Sequence, residues 1–143
     1  MTRVDFYILD QPTKEARLTL ACRIAEKAVQ SDHEVLINAE SDPDCARLDE
    51  LLWTFSQGSF LPHRLLTDST ASEGEPVLIG SGQEPEDGRW DLLINLAPDV
   101  PDFFGRFGRV AELVGAEEDA RAAGRERFRY YRDRGYELRT HHV

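Results

Sequence analysis

Short runs of almost purely apolar residues alternate along this chain with stretches of helical periodicity. That alternation constrains the fold more than any other feature. RVDFYIL (3–9), EVLIN (34–38), PVLIG (76–80), DLLINL (91–96), RVAELV (109–114) and YELRT (136–140) read as strands. Strands apolar on both faces, separated by helices, belong to a parallel sheet covered on both sides. The expected fold is therefore α/β: a three-layer α/β/α sandwich around a mainly parallel sheet. Its 143 residues suit a single domain, 1–143, with one core.

The helices announce themselves by caps and spacing. Thr13 is a candidate N-cap for a helix over about 13–31, in which Leu18, Ala21, Cys22, Ala25 and Val29 recur at helical spacing. Ser41-Asp42-Pro43 starts a second helix, with proline in its first turn. Leu48, Leu51, Leu52 and Phe55 form its apolar face. VPDFFGRF (100–107) predicts one or two helical turns. The last helix is expected over about 116–134, stopped by Gly135. Residues 67–90 are loop-like around PVLIG, being rich in Ser, Gly, Pro and acid.

Much familiar chemistry is missing from the sequence. There is no GxxxxGK[ST] phosphate loop, and no GxGxxG joins the first strand to the first helix. The turn after the first strand is Asp10-Gln11-Pro12-Thr13, with no glycine to admit a pyrophosphate. Gly80-Ser81-Gly82 leads into acidic loop rather than helix, and no GxSxG elbow is present. His33, His63, His141 and His142 lack metal-ligand spacing. Cys22 and Cys45 stand apart and read as reduced thiols of a cytoplasmic protein. Asp5 near the start leaves too short an apolar run for a signal peptide, and no run is long enough to span a bilayer. No cofactor, metal or catalytic residue is expected.

Charge is unevenly placed. Residues 121–143 hold seven arginines against three acids, a net of +4 within a whole-chain −10, so residues 1–120 carry −14. An acidic body speaks against direct DNA coating, and a basic element on it suits a local anionic partner. On a helical wheel Arg121, Arg125, Phe128 and Arg132 fall within about 60° of one another. Three guanidiniums and one ring on a stripe suit a peptide with carboxylates and an apolar anchor. A solvated charged face would have the same spacing. Arg127 falls on the opposite, small-residue side with Ala120, Ala123, Gly124 and Tyr131. A second clue is Trp53, opposite the Leu48/Leu51/Leu52 face and close to the apolar loop Ser59-Phe60-Leu61-Pro62-His63. Either these residues form a protein-binding patch, or the loop folds back over the tryptophan.

Several motifs taken in order resemble the chi subunit of bacterial DNA polymerase III holoenzyme, a clamp-loader accessory family. They are Phe6-Tyr7-x-Leu9, Arg47-Leu48-Asp49-Glu50-x-Leu52-Trp53, Ser59-Phe60-x-Pro62-His63, Pro76-Val77 and Asp91-x-Leu93-Ile94-x-Leu96. Toward the C-terminus they continue with Arg125-Glu126-Arg127-Phe128-x-x-Tyr131-Arg132 and Gly135-Tyr136-x-Leu138-x-Thr140.

The resemblance implies a Rossmann-like fold with no bound nucleotide and a non-catalytic adaptor at the bacterial replication fork. It implies two partners: the psi subunit of the clamp loader, and the C-terminal tail of single-stranded-DNA-binding protein, which is acidic and ends in phenylalanine. DNA would be touched only indirectly, and no membrane is implied. On the family pattern the tail pocket corresponds to Val114, Arg121, Arg125, Phe128 and Thr140, with Arg132 on the same stripe. The family often carries lysine where Arg121 stands and tyrosine where Phe128 stands. Trp53 and Phe60, with Leu61 and Pro62 beside them, fall where the family docks psi and where a helicase can compete with it. The rival expectation is a small nucleotide-dependent enzyme on the same architecture.

Overall fold

The computed structural model describes residues 2–54, 61–66, 74–86 and 91–143. Phe55 and Phe60 lie outside these. A seven-stranded, all-parallel sheet runs in the order β3-β4-β2-β5-β6-β1-β7. The strands are β1 (Arg3–Ile8), β2 (Val35–Asn38), β3 (His63–Leu65), β4 (Val77–Gly80), β5 (Leu92–Asn95), β6 (Arg109–Val114) and β7 (Glu137–His142). The helices are α1 (Lys14–Gln30), α2 (Asp42–Thr54) and α3 (Glu118–Asp133), and Phe104–Arg106 form a 3-10 turn.

The layering follows from handedness. The crossovers β1-α1-β2 and β2-α2-β3 both move toward the β3 edge, whereas β6-α3-β7 moves toward the opposite edge. Right-handed crossovers that step in opposite directions must place their helices on opposite faces. Accordingly α1 and α2 bury Leu18, Ala21, Cys22, Leu48 and Leu52 against Val35, Ile37, Ile79, Ile94 and Leu113. On the other face α3 and the 3-10 turn cover Val4, Phe6, Leu36, Leu93 and Val110.

Local chemistry fixes the helix ends. The Thr13 side chain accepts from Ala16 N at 3.2 Å and caps α1. Ser41 Oγ accepts from Asp44 N at 3.3 Å at the start of α2. Gly135 follows α3 with φ +80°, the left-handed conformation that ends a helix at little cost for glycine. Glu118 and Asp119 in the first turn of α3 and Arg132 in its last complement the helix dipole.

Two expectations need correcting. His63, expected in a loop, begins strand β3, because its backbone pairs with Val77 on β4. The expected final strand 136–140 is observed as Glu137–His142, so His141 and His142 belong to β7. Both cysteines are free and buried, and burial pushes their thiols up to about 12 for Cys22 and about 11 for Cys45. Among the described residues no helix is long and apolar enough to cross a membrane.

Candidate functional site

The basic stripe of α3 lies over the β1–β7 side of the sheet. Phe128 is half-buried, its ring 5.3 Å from that of Phe6 at an interplanar angle of 60°. Phe6 is paired in register with Thr140 on β7, and register partners in a parallel pair share a face. Phe6 itself is buried, so the half-buried Phe128 is the aromatic step that this face offers to solvent, with the exposed Thr140 on the same face of the sheet. Val114 ends β6 on the same face but is only 2% exposed. It lies directly under Gly124, where a Cβ would come within 2.8 Å of a Val114 methyl. Val114 thus sets the height of α3 above the sheet.

The arginines differ in how they are held. Arg121 donates from Nε to Gly115 O at 3.0 Å and from Nη2 to Leu9 O at 2.7 Å. It ties α3 to the C-terminal ends of β6 and β1, and a guanidinium with five N–H donors keeps others to offer. The Arg125 side chain is 61% exposed and faces Glu118, also exposed, at 3.5 Å. Such a surface pair is weakly held. Arg132 lies 3.2 Å from Asp133, both exposed. The site is thus one anchored cation, two loosely paired ones and an aromatic step, which together can grip carboxylates around an apolar group.

Behind the stripe lies a buried polar network that the sequence reading missed. Glu112 is fully buried and accepts from Arg127 Nε at 2.8 Å, from Tyr131 Oη at 2.6 Å and from Asn95 Nδ2 at 3.0 Å. Arg127 also donates to Pro98 O at 2.9 Å, and Asn38 Nδ2 donates to Asn95 Oδ1 at 3.0 Å. Burial pushes the Glu112 carboxyl upward, against the pull of the Arg127 guanidinium. Arg127 is therefore a structural cation that fixes the rotation of α3. The visible signal was an acid inside the apolar run RVAELV.

On the opposite face of β1 and β7, Asp5 is buried beside two guanidiniums and an imidazole. Arg109 Nε donates to it at 2.8 Å, His141 Nε2 lies at 3.2 Å and Arg3 Nε at 3.4 Å. Burial alone would raise the Asp5 carboxyl; the bonds from Arg109 and His141 outweigh it and hold the group below the usual carboxylate range.

At the other end of the sheet, Trp53 is 58% exposed and its ring meets His63 edge-on at 5.0 Å. His63 Nε2 lies 3.0 Å from an Asp49 oxygen. Pro62 is exposed, whereas Leu61, expected at the docking surface, is buried in the α1/α2 layer as core. Trp53 and the stripe are not brought together: β3 and β7 are the two edges of the sheet.

The family model described as DNA polymerase III chi subunit, HolC, matches residues 1–139. The DNA polymerase III subunit chi of Pseudomonas aeruginosa is 42% identical over 143 residues, covering 100% of this chain and 98% of that protein. That of Escherichia coli K12 is 35% identical over 144 residues, covering 98% and 97%. That of Haemophilus influenzae is 32% identical over 138 residues, covering 96% and 95%. Among solved structures, T4 UvsW superposes with a TM-score of 0.70 at 8% identity, over 99% of this chain and 41% of that one, a likeness of fold alone.

Proposed function

The chain belongs to the DNA polymerase III chi subunit family of replication accessory subunits, and from that premise we propose that it is a non-catalytic adaptor of the bacterial replisome, working in the cytoplasm. Its two surfaces hold two partners at once. The α3/β7 surface binds the acidic, phenylalanine-terminated tail of single-stranded-DNA-binding protein. The Trp53 surface docks the psi subunit, and through it the clamp loader. Contact with DNA is indirect.

The observation that carries the proposal is the position of Phe128 over Phe6 beside Thr140, flanked by the exposed Arg125. The tail phenylalanine packs on the aromatic step, and Arg125 and Arg132 meet the carboxylates, with Arg121 fixed behind them. Charge supports the pairing, since the cations of residues 121–143 stand out from a body of opposite sign.

The test is a titration of a fluorescent acidic peptide ending in phenylalanine against the wild type and Arg125→Ala. A charge-assisted hydrogen bond contributes about 1.5–3 kcal/mol, so affinity should fall about tenfold or more. Equal affinity for both proteins would remove α3 from the site.

A further inference from the structure

Strand β7 ends the sheet, and its outer side has no pairing partner among the described residues. The hydrogen bonds of its last residues fix which groups point outward. Val143 N donates to Ile8 O at 3.0 Å, and Asp10 N donates to Val143 O at 3.1 Å, so residue 143 turns both backbone groups toward β1. In a parallel ladder successive residues present their N–H and C=O alternately to the two sides. Residues 137, 139 and 141 therefore also face β1. The backbone groups of Leu138, Thr140 and His142 point away from the sheet. These are the residues whose side chains share a face with Phe6, Ile8 and the stripe of α3.

The open edge and the cationic stripe thus meet along one strand. We propose that the acidic tail peptide binds as an eighth strand, its backbone paired with Leu138, Thr140 and His142; this rests on the tail-binding function proposed above. A strand there lies about 4.8 Å from β7 and turns alternate side chains to the two faces. One set meets Phe128, Arg125 and Arg132. The other set meets Arg139 and His141, which are exposed on the opposite face. Charge complementarity selects the occupant, since arginines border this edge on both faces and suit a peptide with carboxylates at successive positions.

Arg139 gives the first test, because it lies on the far face of β7 from the stripe and a pocket confined to α3 would never sense it. It is exposed and faces the equally exposed Glu137 at 3.2 Å, so Arg139→Ala should fold normally. Tail-peptide affinity should fall about threefold, the scale of one exposed ion pair. The second test scans the peptide with single N-methyl amides. Each lost hydrogen bond should weaken binding about tenfold at every second position and little at the positions between. A peptide that binds the wild type but shows neither the Arg139 effect nor the two-residue period overturns strand addition and leaves tail binding standing. A plain peptide that does not bind overturns both. If sedimentation shows that the free protein pairs with a second copy and that peptide does not compete, the edge belongs to self-association and the proposal falls.

Discussion

Arg127 Nε lies 2.8 Å from Glu112 Oε1, with the two side chains 6% and 0% exposed. The pair joins the middle of α3 to the centre of β6, directly beneath the helix face that carries Arg125 and Phe128. Charges buried at that depth are costly to separate, because whichever partner remains has lost both water and its counter-ion. The pair therefore fixes the rotation of α3 more than it adds net stability.

Arg127→Ala should accordingly destabilise the fold by about 3–5 kcal/mol, the range for breaking one side of a buried ion pair. Replacing both partners, as Glu112→Gln with Arg127→Met, should cost less than Arg127→Ala alone. Urea denaturation of the three proteins measures this. A double variant that loses more than Arg127→Ala alone, as independent sites would, would mean that the pair is not coupled.

Gly124→Ala should destabilise rather than stabilise α3. In a helix interior alanine is favoured over glycine by about 1 kcal/mol. Here its Cβ would stand 2.8 Å and 3.1 Å from the two methyls of Val114, a buried and branched side chain that cannot swing away. Overpacking of this kind costs about 1–3 kcal/mol and lifts the helix. Val114→Ala should restore much of the loss when combined with Gly124→Ala, and thermal melts of the single and double variants test it.

The Asp5 cluster sets an acid limit on stability. Its folded-state carboxyl is held below the unfolded value, so its contribution is complete above that value and is lost as pH falls through the folded one. Wild type should exceed Asp5→Asn in stability at neutral pH, and the gap should narrow below about pH 4. Denaturant midpoints across that range give the comparison. A gap that persists unchanged into acid would mean that Asp5 acts by packing and hydrogen bonding alone.

How far all this is legible in the sequence depends on whether the signal is local. The bounds of β6 and the start of β1 can be read directly from their largely apolar, buried runs, whereas the run 3–9 continues one residue past the end of β1 at Ile8. Strand β3 cannot, because His63-Arg64-Leu65 has no apolar run and exists as a strand only through its pairing with β4. The stripe of α3 is visible because helical spacing places Arg121, Arg125, Phe128 and Arg132 together. That Arg121 is already engaged by the carbonyls of Leu9 and Gly115 is not visible, since it depends on where two strands end in space. Arg127 remains unexplained by spacing because its partner Glu112 belongs to another element. Thr140 joins Phe128 only through the register of β7 on β1.

Tail-peptide binding should weaken as salt rises, because exposed ion pairs are screened beyond about 8–10 Å at physiological ionic strength. It should not vanish, since the half-buried Phe128 ring is apolar and unaffected by screening. Phe128→Ala should remove the salt-resistant part, and Arg125→Ala should flatten the salt dependence. Isothermal titrations at low and high salt separate the two contributions.

Trp53→Ala should disable one end of the molecule and leave the other untouched. The ring is 58% exposed and meets His63 edge-on, so its removal should leave the melting temperature almost unchanged. An aromatic anchor at an interface costs about 2 kcal/mol or more when truncated, which is about thirtyfold in psi affinity. Tail binding should stay within about twofold, because distant sites without shared partners act independently. The distance is considerable: Trp53 packs beside β3 and the stripe beside β7, and six strand spacings of about 4.8 Å put the two edges about 29 Å apart. One variant, a melting curve and two titrations suffice. A variant that unfolds would mean that the Trp53 ring holds the fold through its contact with His63 rather than serving a partner. A variant that folds yet loses both partners together would end the two-surface adaptor, because no shared element would then explain how one edge of the sheet senses the other.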